Sequence, residues 1–304
     1  MNRRDFLKQT AFAATGLLLS TALRFDGKSL VGGDDPKVFT GLDKFGRLLK
    51  LAREGNWRAL PIGEIIGKAG MALRGTPYVG GTLELYDDRE VCSVNLLGLD
   101  CLTFFENVLG FARMLKKKKV SPDDLLHEIA FMRYRGGQLG DYTSRLHYTT
   151  DWFDDNERKG VVKVITKDLP GAQRLMRPVN FMSSHPESYR QLKANSKLAP
   201  MMADIEMEIN HRETHYLPKE KIEAALSRLQ TGDIIGITTN LDGLDCSHTG
   251  LGYRDEKGGL RLLHASTTKK EVVLDEELSV YLARGVKHTG IMVARPLEVM
   301  PQKR

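Results

Sequence analysis

Cys101, His248 and His264 are the residues whose types and spacing could do chemistry together. A thiol attacks a carbonyl carbon as its thiolate, so it needs a base in contact and a third group to orient that base. Cys101 precedes Leu102 to Leu115, where Phe104, Val108, Phe111 and Leu115 recur at helical spacing with Phe105 and Leu109 beside them. That periodicity predicts a helix beginning at or just after Cys101. Its unpaired N–H groups and positive dipole end would favour a thiolate and could hold an oxyanion. Asp100 works weakly against the thiolate and is suited to cap the helix. His248 opens the extended run to Tyr253, and His264 closes Leu260 to His264, across a turn at Asp255 to Gly259. On an antiparallel pair the two are cross-strand neighbours, about 5 Å apart between Cβ atoms when directly opposite. One imidazole could then orient the other. Satisfied structural histidines would give the same spacing, so the residues alone leave both readings open.

Other groups compete for attention. Cys246 stands two residues before His248, on the same face of an extended run. Gly-Leu-Asp-Cys occurs both at Gly98 to Cys101 and at Gly243 to Cys246, but Cys246 lacks a helix start to lower its pKa. The chain has three cysteines, so a Cys92–Cys246 disulfide would leave Cys101 as the free thiol. Arg133, Arg135 and Arg145, with Tyr142 and Tyr148, could bind a substrate carboxylate through the bidentate guanidinium fork. Salt bridging within the protein is the alternative for these arginines. His211 and His215 stand four apart near Glu208, as zinc ligands on one helix face would. The order is not His-Glu-x-x-His and a clear third ligand is missing, so neither a metal nor a cofactor is expected. His127, His147, His185 and His288 read as ordinary polar histidines, and Asp151-Trp152-Phe153 as core packing.

Helices over Gly41 to Arg53 and Pro61 to Leu73 are predicted from their apolar spacing, the second stopped by Gly75-Thr76-Pro77-Tyr78. Ser121 as N-cap with Pro122 in the first turn starts another. Between Arg133 and Thr231 the chain is polar and loop-rich, apart from a helix expected over Lys219 to Leu229. From Gly232 the texture is β-rich, with strands at Asp233 to Thr239, His248 to Tyr253, Leu260 to His264 and Gly290 to Arg295. Helices first and an antiparallel sheet last make an α+β plan.

The chain has 304 residues, 41% of them hydrophobic and 28% charged, which is ordinary globular composition. A net charge of +6 suits an anionic polymer or membrane surface, and no nucleic-acid-reading signature accompanies it. The run Lys116 to Lys119 reads as a solvated helix end. Arg3-Arg4-Asp5-Phe6-Leu7-Lys8 before the apolar stretch Ala11 to Leu23 follows the pattern of a signal peptide and resembles the twin-arginine export signal. The expected organisation is a leader over 1–25, a linker over 26–40 and one domain over 41–304, with 116–230 as an insertion. The expected location is the periplasm, tethered to the membrane if the leader stays uncleaved.

The motifs fall in a recognisable order. Gly75-Thr76-Pro77-Tyr78-Val79-Gly80-Gly81, then Asp100-Cys101, then Gly232-Asp233-Ile234-Ile235, His248-Thr249-Gly250-Leu251 and Leu263-His264-Ala265 follow one another. This set resembles the NlpC superfamily of papain-like cell-wall hydrolases, and within it the N-acetylmuramoyl-L-alanine amidase-like group. Gly80 to Glu84, Arg133 to Gly137 and Ser144 to Tyr148 are similar to that group as well. The resemblance implies a papain-like fold with N-terminal helices packed on an antiparallel sheet, and a long insertion between nucleophile helix and sheet. It implies Cys101 as nucleophile, His248 as base, His264 as the orienting residue and Tyr78 near the oxyanion. Peptidoglycan or muropeptides would be the substrate, cleaved between N-acetylmuramic acid and L-alanine. The alternatives are cleavage between D-glutamate and the diamino acid, or a binding module that has lost its chemistry. Val79-Gly80 replaces the tryptophan usual after the tyrosine, which alters the floor of the substrate pocket.

Overall fold

The computed structural model describes residues 38–299, so the expected leader and most of the expected linker lie outside the described residues. In chain order the elements begin with β1 (Phe39–Thr40), α1 (Leu42–Glu54), α2 (Ile62–Ala72), β2 (Val94–Asn95), α3 (Cys101–Lys116), α4 (Pro122–Arg133) and α5 (Thr149–Arg158). There follow β3 (Val162–Val164), β4 (Gln173–Arg174), α6 (Phe181–Ser184), α7 (Arg190–Ala194), α8 (Leu198–Asn210) and β5 (His215–Pro218). The last part holds α9 (Ile222–Ala225), β6 (Ile234–Thr239), β7 (Cys246–Arg254), β8 (Leu260–Ser266), β9 (Glu271–Glu277), α10 (Leu278–Arg284) and β10 (His288–Pro296).

Eight strands form an antiparallel sheet in the order β4-β5-β10-β6-β7-β8-β9, with β3 also paired to β10. Alternation along β6 divides the interior: Ile234 enters one core, while Ile235 and Ile237 enter another on the opposite face. The first core is built by α3, which packs across β7 and β8 with α2 and α4 against it. Phe104, Phe105, Val108, Leu109, Phe111 and Ala112 are each at most 1% exposed, so α3 is enclosed on nearly every side. Burial of each large apolar side chain contributes about 1.5–3 kcal/mol. That mass of packing fixes the helix, and with it the position of its first residue.

Side chains cap the starts of α3 and α4. Asp124 N donates to Ser121 Oγ (3.1 Å) and Ser121 N donates to Asp124 Oδ2 (3.0 Å), closing a capping box over the Pro122 turn. Such a cap is worth about 1 kcal/mol. The helix expected over Lys219 to Leu229 is broken instead. Only Ile222–Ala225 is α-helical, between two 3-10 turns, and no side chain caps it.

The middle of the chain is woven into the fold. Leu125, Leu126, Ile129, Trp152, Phe153 and Val162 enter the first core, and β3, β4 and β5 join the sheet. Tyr148, Met182, Leu192, Met202 and Ile209 form a third, smaller cluster. Two elements that the sequence did not announce, β9 and α10, cover the far edge of the sheet and the second core. Among the described residues no helix is long and apolar enough to cross a membrane.

Candidate active site

Cys101 is the first residue of α3, and Asp100 is its N-cap. Thr103 N donates to Asp100 Oδ1 (2.7 Å) and Asp100 N donates to Thr103 Oγ1 (2.9 Å), a second capping box. The next amide, Phe104 N, donates to Asp100 O (2.9 Å). That leaves Cys101 N–H and Leu102 N–H as the donors of the first turn, and Leu102 N–H is directed to the Cys101 sulfur. The segment before α3 is held at the sheet edge. Leu99 N donates to Pro77 O (3.0 Å), while Gly75 and Tyr78 pair with Val272 and Lys270 at the start of β9. Gly98 permits this approach, since a Cβ there would fall 2.7 Å from the Val79 side chain. Tyr78 is thereby brought beside the Asp100-Cys101 pair. Burial, with the thiol and carboxylate next to it, pushes its phenol up to about 12.

His248 lies on β7 opposite Ile237, so its ring rises on the face of the second core. Leu251 pairs with Leu263, which sets Gly250 opposite His264 and leaves His248 diagonal to it. The expectation of direct opposition is corrected by two residues. The rings meet because Gly250 has no side chain: a Cβ there would stand 2.9 Å from His264 Cβ. His248 Nε2 and His264 Nδ1 are 2.6 Å apart, both rings are buried, and their planes cross at 86°.

The β7–β8 ladder runs from Leu251–Leu263 to Arg254–Leu260. Beyond its end, where β7 carries His248 and Thr249, the Cys101 thiol meets the backbone and side chain of Thr249. Thr249 Oγ1 is buried without another hydrogen-bond partner, so the sulfur is its polar neighbour. Cys101 and His248 share no hydrogen bond among the described residues. Thr249 meets the thiol while the adjacent His248 side chain leaves the other face of β7, so the ring reaches the sulfur only by moving at the open end of the strand. The resting charge state differs from the sequence expectation. Burial and the Asp100 charge push the Cys101 thiol up to about 11, against the helix-start donors. Burial and the neighbouring His264 push His248 down to about 3. At neutral pH the resting pair is therefore a neutral thiol and a neutral imidazole.

The cluster continues past the residues singled out in the sequence. His264 Nε2 is 3.2 Å from Asp275 Oδ2, and Lys269 Nζ donates to Asp275 Oδ1 at 2.8 Å. Tyr281 of α10 packs on both rings, centroids 6.5 Å from His248 and 5.2 Å from His264, and stacks on His288 at 5.6 Å. Burial and the nearby Asp275 and Cys101 push the Tyr281 phenol up to about 12. A cavity of about 610 Å³ opens beside this group, lined by Ser247, His248, Asp275, Tyr281 and His288. His288, expected as an ordinary polar histidine, stands in the cluster. The short β-branched and apolar run Val272-Val273-Leu274 within Glu271–Glu277 was the available sign of β9, masked by its charged end.

Arg133, Arg145 and Tyr142, expected to face substrate, are turned inward, and Arg135 is partly open but ion-paired. Arg133 is 1% exposed, with Nε 2.8 Å from Glu106 Oε2 and NH1 donating to Ser93 O. Arg145 pairs with buried Glu90 at 2.7 Å, and Tyr142 donates to Glu84 at 3.0 Å. Arg135 holds Asp151 through both guanidinium nitrogens, at 3.1 and 2.7 Å. Tyr148 donates to Glu206 (2.6 Å). The reason is periodicity: Arg133 follows Leu126, Ile129 and Ala130 on the buried face of α4. His211 closes α8 whereas His215 opens β5, so they do not share a helix face. All three cysteines are free, Cys92 and Cys246 buried and Cys101 partly open.

These features can be set beside known proteins. The model of the AmiA-like family, described as N-acetylmuramoyl-L-alanine amidase-like, matches residues 68–291. A crystal structure of an N-acetylmuramoyl-L-alanine amidase from Bacteroides uniformis is 37% identical, with a TM-score of 0.72 over 78% of this chain and 99% of that one. A Bacteroides fragilis protein provisionally named a xylanase is 38% identical, with a TM-score of 0.68 over 74% of this chain and 98% of that one. The protein LPG0564 from Legionella pneumophila shares the fold at 22% identity, with a TM-score of 0.64 over 84% of this chain and 95% of that one. No curated protein sequence matches the chain.

Proposed function

We propose a function from one premise: the chain belongs to the N-acetylmuramoyl-L-alanine amidase-like family. On that premise it is a peptidoglycan hydrolase of papain-like, NlpC type that uses Cys101 as nucleophile and His248 as base. The observation that carries this reading is the imidazole pair at 2.6 Å, on a strand whose next residue, Thr249, touches the thiol at a capped helix start. His248 takes the Cys101 proton as sulfur adds to an amide carbonyl, so the ion pair forms during attack rather than before it. Cys101 N–H and the Tyr78 hydroxyl stand ready for the oxyanion. The proton then passes to the leaving amine, and His248 draws a proton from the water that releases the acyl group.

The preferred bond is the amide between N-acetylmuramic acid and L-alanine, which would leave an intact stem peptide as the amine product. Cleavage between D-glutamate and the diamino acid is the second choice within the same chemistry. A glycosidase would need two carboxylates flanking the bond. The groups that converge here are a thiol, two imidazoles and one ion-paired carboxylate. The export reading of the N-terminus places the enzyme in the periplasm, where its substrate lies.

Digestion of purified muropeptides with mass detection tests the proposal. Intact stem peptide freed from the sugar is expected from the wild type, and none from Cys101→Ala. Products of the same mass and yield from both proteins would overturn it.

A further inference from the structure

Asp275 lies beyond the residues to which the proposed mechanism gives a task, yet its surroundings fix how protons are arranged in that mechanism. The carboxylate is 8% exposed. Oδ1 accepts from Lys269 Nζ (2.8 Å) and from the Glu276 backbone N–H (2.8 Å), and Oδ2 faces His264 Nε2 at 3.2 Å. The backbone carbonyl of Asp275 accepts from Arg261 Nε at 2.7 Å, which anchors the residue. Held by the Lys269 cation and the backbone donor, the carboxyl stays below its ordinary range and is ionised. An ionised carboxylate can only accept.

The remaining protons follow in order. His264 Nε2 must be the donor to Asp275, and a neutral imidazole carries one N–H, so His264 Nδ1 presents its lone pair. Burial keeps His264 below the ordinary imidazole range, in keeping with a single proton. The 2.6 Å contact from His264 Nδ1 then requires His248 Nε2 to donate. His248 Nδ1 is left as a lone pair without a partner among the described residues. Reversing any step reverses the next. A proton on His264 Nδ1 would push His248 into the Nδ1–H form, which cannot take a proton from the thiol.

We infer that Asp275 is a positioning residue whose carboxylate sets the tautomers of His264 and His248 in series, so that His248 Nδ1 is the basic atom of the site. The assignment rests on the reading of His248 as base given above. Lys269 is part of the device, because it keeps the carboxylate ionised from the solvent side.

The test uses full-length protein labelled with ¹⁵N in histidine, and long-range proton–nitrogen correlation at pH 7. Wild type is expected to show both His248 and His264 as neutral rings protonated at Nε2. In Asp275→Ala, His264 should move toward the Nδ1–H form, with kcat reduced about 10- to 100-fold, the usual scale for such outer partners, and KM little changed. Asp275→Glu should restore part of both. An Nδ1 proton on either wild-type ring would overturn the inference without any variant, as would unchanged tautomers in a folded Asp275→Ala protein. Retained hydrolysis by Cys101→Ala would sink the nucleophile reading and leave the tautomer result standing, so the two failures are distinguishable.

Discussion

Two polar regions of this fold arrange their charged groups in different ways. Around α4 and α5, each guanidinium meets a carboxylate: Arg133 with Glu106, Arg145 with Glu90, Arg135 with Asp151. Around β7 to β9, the chain of contacts from Lys269 through Asp275 and His264 ends at His248 with one ring nitrogen unpartnered, one residue along β7 from the Thr249 that meets the Cys101 thiol. Charge pairing of the first kind holds a fold in register, even with Arg133 Nη2 and Arg145 Nε buried without a partner. The second kind ends on a basic nitrogen with a bond still to make, and that is what chemistry requires. Sequence reasoning offered both regions as candidate sites, since arginines and histidines alike suit the binding of acidic or acyl substrates.

The comparison can be broken first at its open end. His248→Gln should lower kcat/KM about 10²- to 10⁴-fold, the range of a lost general base, in steady-state assays on muropeptides. A loss below tenfold would mean that another group takes the proton. At the closed end, Arg133→Met strands the buried Glu106, which also accepts from Trp152 Nε1 at 3.0 Å. Breaking a buried pair in this way costs about 3–5 kcal/mol, so urea denaturation should show a large loss of stability. Adding Glu106→Gln should recover much of it, with kcat of the folded protein unaltered throughout.

A pH series sharpens the contrast. His248 is held down to about 3 in the folded state by burial and His264. The unfolded imidazole titrates near 6.5, as free imidazoles do. Between those values the unfolded chain binds more protons, so stability present at pH 7 is lost as pH falls from about 6.5 toward 3. Urea midpoints of wild type should drop across that window more steeply than those of His248→Gln. Parallel curves would show that the ring is not buried as described.

The smallest effect is expected at Arg135. Its partner Asp151 is also held by Arg212 at 2.7 Å, so Arg135→Ala should cost about 1 kcal/mol and leave KM unchanged. A tenfold rise in KM would return this arginine to the substrate site and dissolve the distinction between the two regions.

How much of this could be read in the sequence follows from which signals are local. The start of α3 at Cys101, the Ser121 cap and the β6–β8 strands were legible because apolar period and capping chemistry act within a few residues. The pairing of His248 with His264 was legible in kind but not in register, since strand pairing depends on where the turn ends. The inward turn of Arg133 was visible in its spacing from Ile129, yet an arginine is ordinarily assigned to the surface. Asp275 and Tyr281 were missed. A short apolar run, Val272 to Leu274, hints at a strand, but nothing local says that β9 and α10 bring these residues to the histidines.

Covalent modification of Cys101 shows whether its sulfur carries the reaction. Burial pushes all three thiols up, Cys92 to about 12 and Cys101 to about 11, but Cys92 and Cys246 are buried whereas Cys101 is partly open. Iodoacetamide titrated up to about pH 9–10, followed by intact mass and peptide mapping, should place one carbamidomethyl group on Cys101 first. Hydrolysis of muropeptides should fall in proportion to that occupancy and reach zero at one group per chain. A protein fully alkylated at Cys101 that still hydrolyses its substrate at the original rate would contradict the account.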